Sequence, residues 1–353
     1  MTYLDANASE PLRPQARAAM LAALDIGGNP SSVHGAGRAV RRVLDEARHR
    51  VAAAYGVLDD DVVFTSGGTE ANALAINGLR RDRRVIVGAT EHDAVRQAAP
   101  DATVLPADHD GTACLDTLAR LLQDGPALVC LMAANNETGT RQPVAGAAAL
   151  CRTHGALLHV DAVQARVPFD VPASGAHSVA LSGHKIGGPH GAGALLLHGV
   201  DPAPLLRGGG QERGRRGGTP GVAVLAGFAA AVGCEWPDLT PWRDEVAAMA
   251  VGHGAIVLGG ADRLSNTVCL ALPGVRADAQ VIALDLAGVH VSAGAACSSG
   301  TMGDSHVLHA MGLGALARQA IRVSLPWNAV AADVAAFCCA YAALVRRIAA
   351  RAA

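Results

Sequence analysis

Short runs of consecutive apolar residues alternate along the first two-thirds of the chain with longer segments of helical spacing. The runs Val62–Thr65, 85–87, Ala127–Met132, Leu157–Asp161, 179–182 and Gly193–Leu197 read as strands. Val144–Thr153 and residues 115–122, rich in Ala and Leu at helical spacing, read as helices. Strands alternating with helices predict a mostly parallel sheet covered on both faces. Residues 208–221 are glycine-rich without a period, and predict a loop. A linker is expected over 237–241. Beyond it, a strand near 265–272 and helices near 277–286 and 329–347 predict a second, smaller α/β unit. No internal repeat is present.

In such sheets, ligands bind at the carboxyl ends of the strands. Residues able to do chemistry cluster there: Ser66 to Asn72, Glu91-His92, Asn135 to Gly139, Asp161 to Gln164 and Ser182 to Lys185.

Composition narrows the partners. Of 353 residues, 50% are hydrophobic and 3% aromatic, with a net charge of -2, which suits a packed α/β protein. That charge gives no reason to expect nucleic acid or an anionic membrane as a partner. Met1 to Glu10 lack the basic and apolar regions of a signal peptide, and the longest apolar stretch, Val222–Val232, is too short to span a bilayer. A soluble, cytoplasmic protein is expected. None of the eight cysteines forms a C-x-x-C pair, so neither a metal site nor a disulfide framework is expected. Most read as small buried hydrophobes. Cys297 differs, because Ser292 to Thr301 is built from small and polar residues, the setting of an accessible thiol.

The charge count hides a sharper signal. Lys185 is the only lysine among 29 basic side chains; the rest are arginine. Arginine never gives up its proton, whereas a lysine amine can form an imine. A pyridoxal phosphate site needs such a lysine, an acid to hold the pyridine nitrogen protonated, phosphate donors, and a group against the ring face. Ser182-Gly183-His184-Lys185 follows an apolar strand, and Asp161 ends another. Gly67 to Asn72 opens a helix, whose free N–H groups suit an anion. It lacks the G-K-[ST] ending of a nucleotide P-loop.

Together these residues resemble the class V aminotransferases of fold-type I, and within them the cysteine desulfurases. The motifs run in family order along nearly the whole chain: NPSSVH from Asn29, TSGGTEANALAI from Thr65, Glu91-His92, NNETG from Asn135, DAVQ from Asp161 and SGHKIGG from Ser182. GGGQERGRRGGT from Gly208, AACSS from Ala295 and IRVS from Ile321 complete the set. The resemblance implies a large cofactor domain over 14–236 with a mostly parallel seven-stranded sheet. It also implies a small α/β domain made from 1–13 together with 237–353.

It implies roles too. Lys185 would bind pyridoxal 5'-phosphate covalently, Asp161 would pair with the pyridine nitrogen, Gln164 with the ring hydroxyl, and His92 would stack on the ring. Gly68, Thr69, Ser182 and His184 would hold the phosphate, and Thr219 would reach the phosphate of a partner, making a homodimer. Asn136, also near the cofactor, and Arg322 would face the substrate carboxylate. Blander roles stand beside these: His92 and His184 as rim histidines, Asn136 as a loop brace, Arg322 paired with a structural acid, Thr219 as a cap.

Cys297 points to a desulfurase that acts on L-cysteine. Lys185 would take the substrate Cα proton, His92 could assist protonation steps, and the Cys297 thiolate would attack the substrate sulfur, keeping it as a persulfide while the carbon skeleton is released as alanine. The alternatives are a selenocysteine lyase, another β-lyase, an aminotransferase, or a non-enzymatic assembly partner. Residues 297–307 resemble the longer-loop desulfurases, which deliver sulfur to iron–sulfur cluster or tRNA thiolation acceptors. Three departures leave the acceptor protein open. Only 28 residues follow Leu325, the 240–260 segment looks short, and Gly217-Gly218-Thr219 replaces a Ser-Gly-Thr pattern.

Overall fold

The computed structural model describes residues 1–294 and 304–352. Its larger sheet has seven strands in the spatial order Val62–Thr65, Gly193–Leu197, Ser178–Ser182, Leu157–Asp161, Ala127–Met132, Arg84–Gly88 and Thr103–Leu105. Only Gly193–Leu197 runs antiparallel to its neighbours. The central strands are buried along their length, which is why they read as unbroken apolar runs. The edge strand Thr103–Leu105 escaped the sequence reading because two of its three residues are exposed and no run marks it.

Each face of this sheet packs its own apolar cluster. One gathers Val51, Tyr55, Phe64, Val129, Val160 and Phe228; the other Val63, Leu74, Ile76, Val85, Leu128 and Leu195. Fully burying one such side chain is worth about 1.5–3 kcal/mol. The helix Gly35–Tyr55 starts on His34, whose Nδ1 accepts from the Gly37 amide, and stops at Gly56, which takes a left-handed φ of 68°.

A second sheet of four antiparallel strands runs Ser292–Ala293, Ala320–Ser324, Thr267–Ala271, Ile256–Leu258. The N-terminal strand Thr2–Tyr3 joins this half of the molecule by pairing in parallel with Val289–His290. Leu4 therefore shares a core with Val246, Leu284, Phe337 and Tyr341.

Residues 237–239 of the expected 237–241 linker lie between two helices, and its last two residues open the second. Leu239 is buried, and the helix Thr240–Gly252 starts there with Pro241 in its first turn, where a missing N–H costs nothing. Among the described cysteines, Cys130, Cys151 and Cys269 are buried as expected, but Cys114, Cys234 and Cys338 are half-buried and Cys339 is exposed. Among the described residues, no helix is long and apolar enough to cross a membrane.

Candidate active site

The carboxyl ends of the central strands open onto a cavity of about 270 Å³. Its lining includes Gly68, Thr69, His92, Asn136, Asp161, Gln164, Ser182, His184, Lys185 and Arg322, all singled out from sequence. Thr219 does not line it and is exposed. Cys297 lies outside the described residues.

One end of the cavity is shaped for an anion. Gly68 begins the helix Gly68–Arg80, so its unpaired N–H groups and dipole face the cavity. A Cβ at Gly68 would come within 2.5 Å of Val163 Cγ2, so only glycine lets the backbone close in here. Ser182 ends its strand beside this turn. Burial first, then the charge of Lys185, pushes the His184 imidazole down to about 4, so the ring is neutral. Its Nδ1 is buried without a partner.

The floor is a buried chain of hydrogen bonds. Asp161 Oδ1 accepts from the Val163 amide at 3.0 Å, and Oδ2 from Asn72 Nδ2 at 2.8 Å. The Asn72 amide oxygen faces His159 Nε2 at 2.8 Å, while His159 Nδ1 meets Ser178 Oγ at 2.9 Å. A carboxylate only accepts, so Asn72 must donate to it. His159 Nε2 then donates to Asn72, and Nδ1 accepts from Ser178. Burial holds His159 down to about 4, which keeps this neutral tautomer. Burial raises the Asp161 carboxyl, while its hydrogen bonds from the Val163 amide and Asn72 favour the charged form.

Lys185 stands where the floor meets the opposite wall. Its Nζ donates to the backbone carbonyls of Asn7 at 2.6 Å and Ala8 at 3.1 Å. Burial, helped by Arg322 and Arg166, pulls the amine down to about 8. Gln164 Nε2 also donates to the Asn7 carbonyl, leaving its Oε1 buried and unpartnered. His92 caps a short helix, its Nδ1 accepting from the Ala94 amide at 3.0 Å. The preceding Glu91 is fully buried, and desolvation raises it well above the carboxylate range.

The far wall comes from distant parts of the chain. Arg322 Nη2 donates to Asp5 Oδ1 at 2.5 Å and Nη1 to the Asn136 carbonyl at 3.1 Å, while Nε has no partner. Arg322 thus does pair with a structural acid, while still lining the cavity. Asn7 ties this wall together: its Nδ2 donates to the Asn136 carbonyl and to Thr267 Oγ1. Arg166 in turn donates to Asn7 Oδ1 and to Glu10. Ser292, at the start of the stretch that leads to Cys297, lies opposite Arg322 in the sheet. At its far root, Ser305 Oγ donates to Glu137 Oε2, a carboxyl that burial pushes up to about 7.

Asn7 and His159 are polar groups of the site that sequence reasoning passed over, and Asn72 was named only within the 66–72 cluster, without a role. Asn72 sat inside a quoted motif and His159 inside a strand as a lone polar residue, a pattern that marks a buried hydrogen-bonding group. Asn7 carried no local signal.

A lysine and an aspartate at adjacent strand ends, with a helix N-terminus beside them, are the layout of a fold-type I enzyme. Residues 2–240 match the family described as Aminotransferase class-V. The chain belongs to this family, and within it to the cysteine desulfurases. It is 42% identical to a cysteine desulfurase of Cereibacter sphaeroides, over 94% of this chain and 92% of that one. It is 40% identical to an IscS-like cysteine desulfurase of Mycobacterium tuberculosis, over 95% and 93% of the two chains. Among solved structures, a NifS-like protein from Rickettsia africae superposes with a TM-score of 0.89 at 30% identity, covering 98% and 99%.

Proposed function

We propose that this protein takes the sulfur from L-cysteine onto Cys297, releases L-alanine, and works as a homodimer loaded with pyridoxal phosphate. The observation that carries the cofactor reading is the set of buried polar atoms without partners around the cavity: His184 Nδ1, Gln164 Oε1 and Arg322 Nε. Leaving such atoms unpaired costs about 1–3 kcal/mol each. A phosphorylated, polar ring ligand would pair them, and the cavity lies just below the usual range for ligand pockets (about 300–1,000 Å³). Gly68, Thr69, Ser182 and His184 would hold the phosphate, Asp161 the ring nitrogen, Gln164 the ring hydroxyl, and His92 the ring face. When bound, the cofactor withdraws electrons from the substrate Cα and so eases loss of its proton.

The rest of the work falls to the chain. Arg322 and Asn136 orient the substrate carboxylate, with Arg322 Nε free to donate. Lys185 Nζ takes the Cα proton, and its low pKa makes a neutral amine accessible near physiological pH. The thiolate of Cys297 attacks the substrate sulfur. An S–S bond forms as the substrate C–S bond breaks, and the carbon skeleton picks up protons and leaves as alanine. No external oxidant is needed. The sulfur then passes to an acceptor protein of iron–sulfur assembly or thiolation. We take 14–236 as the cofactor domain and 1–13 with 237–353 as the small domain, a division supported by the separate core around Leu4 and Phe337.

Mass spectrometry of the holoenzyme after L-cysteine should find one added sulfur on Cys297. Cys297→Ala should lose cysteine-dependent sulfide release. Undiminished release by that variant would overturn the persulfide route in favour of a lyase.

A further inference from the structure

We propose that a second cavity, joined to the far wall of the active site by Arg166 and Asn266, binds a small monocarboxylate with an apolar body and passes its occupancy to Lys185 through Asn7. This site lies outside the sulfur-transfer reading and does not depend on it.

The cavity measures about 600 Å³, within the usual range for a small-molecule pocket (about 300–1,000 Å³). It forms where the helix Val144–Thr153 and residues 165–169 meet residues 236–239 and 264–266. Its lining is chiefly apolar, from Val144, Val160, Phe169, Trp236, Leu239 and Leu264. Val160, Leu239 and Leu264 are buried, while Val167 at the rim is 61% exposed. Such a lining gains by covering an apolar body and releasing water.

The charge around it is lopsided. Arg141 and Arg166 line the cavity, and among the described lining residues Asp238 is the one acid. Asp238 is already engaged, its Oδ1 accepting from the Thr240 amide at 3.0 Å. Arg141 is held loosely, 3.5 Å from the exposed Asp262. Arg166 is buried: Nη1 donates to Glu10 and Nη2 to Asn7 Oδ1, while Nε has no partner. Burial and the charge of Arg322 both work against this cation, so a further anion beside it would be stabilised. A single carboxylate suits one spare donor. A phosphate would bring a second charge in among apolar side chains.

Two lining residues reach the active site through the same atom. Arg166 Nη2 and Asn266 Nδ2 both donate to Asn7 Oδ1, the second at 3.3 Å. The Asn7 carbonyl accepts from Lys185 Nζ at 2.6 Å, and Asn7 Nδ2 donates to the Asn136 carbonyl at 3.0 Å. Arg166 Nη1 also donates to the Lys185 carbonyl at 3.4 Å. A carboxylate drawing on Arg166 would share a cation that now serves Asn7 and the lysine. By linkage, a ligand in either cavity then alters affinity at the other by the same factor.

Titration of the holoenzyme with 3-phenylpropionate, followed by tryptophan fluorescence, tests this, because Trp236 lines the cavity and lies 5.2 Å from the Arg166 guanidinium. Quenching should saturate and should vanish in Trp236→Phe. The uncharged 3-phenylpropanamide should bind about 10- to 100-fold more weakly. Ala145→Phe and Val167→Glu, both at the exposed rim, should each weaken the carboxylate about tenfold and leave turnover without it unchanged. Either serves if the other does not fold. L-alanine should shift the dissociation constant only to a plateau, and bound 3-phenylpropionate should change the KM for L-cysteine about fivefold. Equal quenching by the amide, or no saturable quenching, would overturn the carboxylate site. A shift that keeps growing with L-alanine would put the probe in the active-site cavity and overturn it too. Saturable binding with an unchanged KM would overturn the link through Asn7. The fluorescence titration does not use the reaction, so failure of the persulfide on Cys297 would count against the sulfur-transfer reading alone.

Discussion

The floor and the far wall of the cavity are built in opposite ways. The floor is local and layered: Asn72, His159, Asp161 and Ser178 sit on one sheet and the helix packed on it. The wall is assembled from Asp5, Asn7, Asn136, Thr267 and Arg322, residues up to 317 positions apart. The floor is a neutral relay ending in one carboxylate, buried among apolar strands. The wall is an ionic network, with Arg322, Arg166, Asp5 and Glu10 sharing Asn7 and its neighbours. We propose that this contrast reflects separate duties. A fixed carboxylate on a rigid sheet suits a resident cofactor, and a cluster of arginines with spare donors suits a substrate carboxylate that comes and goes.

Substitutions should separate the two. Arg322→Gln removes a charged donor from the wall and should raise the KM for L-cysteine about 10- to 100-fold, the worth of a charge-assisted hydrogen bond. The absorbance of the bound cofactor should stay as it was. A changed spectrum with an unchanged KM would dissolve the division.

Lys185 tests the boundary, because its amine belongs to the floor by sequence and to the wall by its hydrogen bonds. Burial lowers its pKa to about 8, and only the neutral amine is a nucleophile. Capture of pyridoxal phosphate by the cofactor-free protein should therefore quicken about tenfold per pH unit up to about pH 8, then level off. A rise that continues to pH 10 would mean the amine is not desolvated.

The smallest effect is expected at Asn72→Leu. It strips one donor from Asp161 and leaves His159 Nε2 unpaired, which costs about 1–3 kcal/mol. Cofactor affinity should fall about tenfold and the spectrum should shift, with KM for cysteine nearly unchanged. An unaltered spectrum would show that Asp161 is held without Asn72.

What was legible follows the same split. Ala127–Met132, Leu157–Asp161 and Gly193–Leu197 were readable to the residue, because strands buried on both faces leave an apolar run with polar ends. Asp161 ends one such run, and Ser182 and Lys185 end and follow the strand Ser178–Ser182, so their place at the cavity was readable too. The glycine-rich segment was read as a loop without pattern. Its order comes from Arg48, Phe64 and Glu70, 146 to 164 residues away, and no local period records that.

By itself the sequence determined the sheet, the chemistry of its strand ends and the solitary lysine, because burial and residue type act at each position in turn. The tertiary structure decided that Asn7 meets Lys185, that Asp5 meets Arg322, and that Thr219 stands exposed, outside the lining of its own chain's cavity. Those facts depend on parallel pairing of Thr2–Tyr3 with Val289–His290 and on ion pairs closed across the whole chain. Such contacts form only when distant segments are packed together, so no stretch of sequence carries them alone.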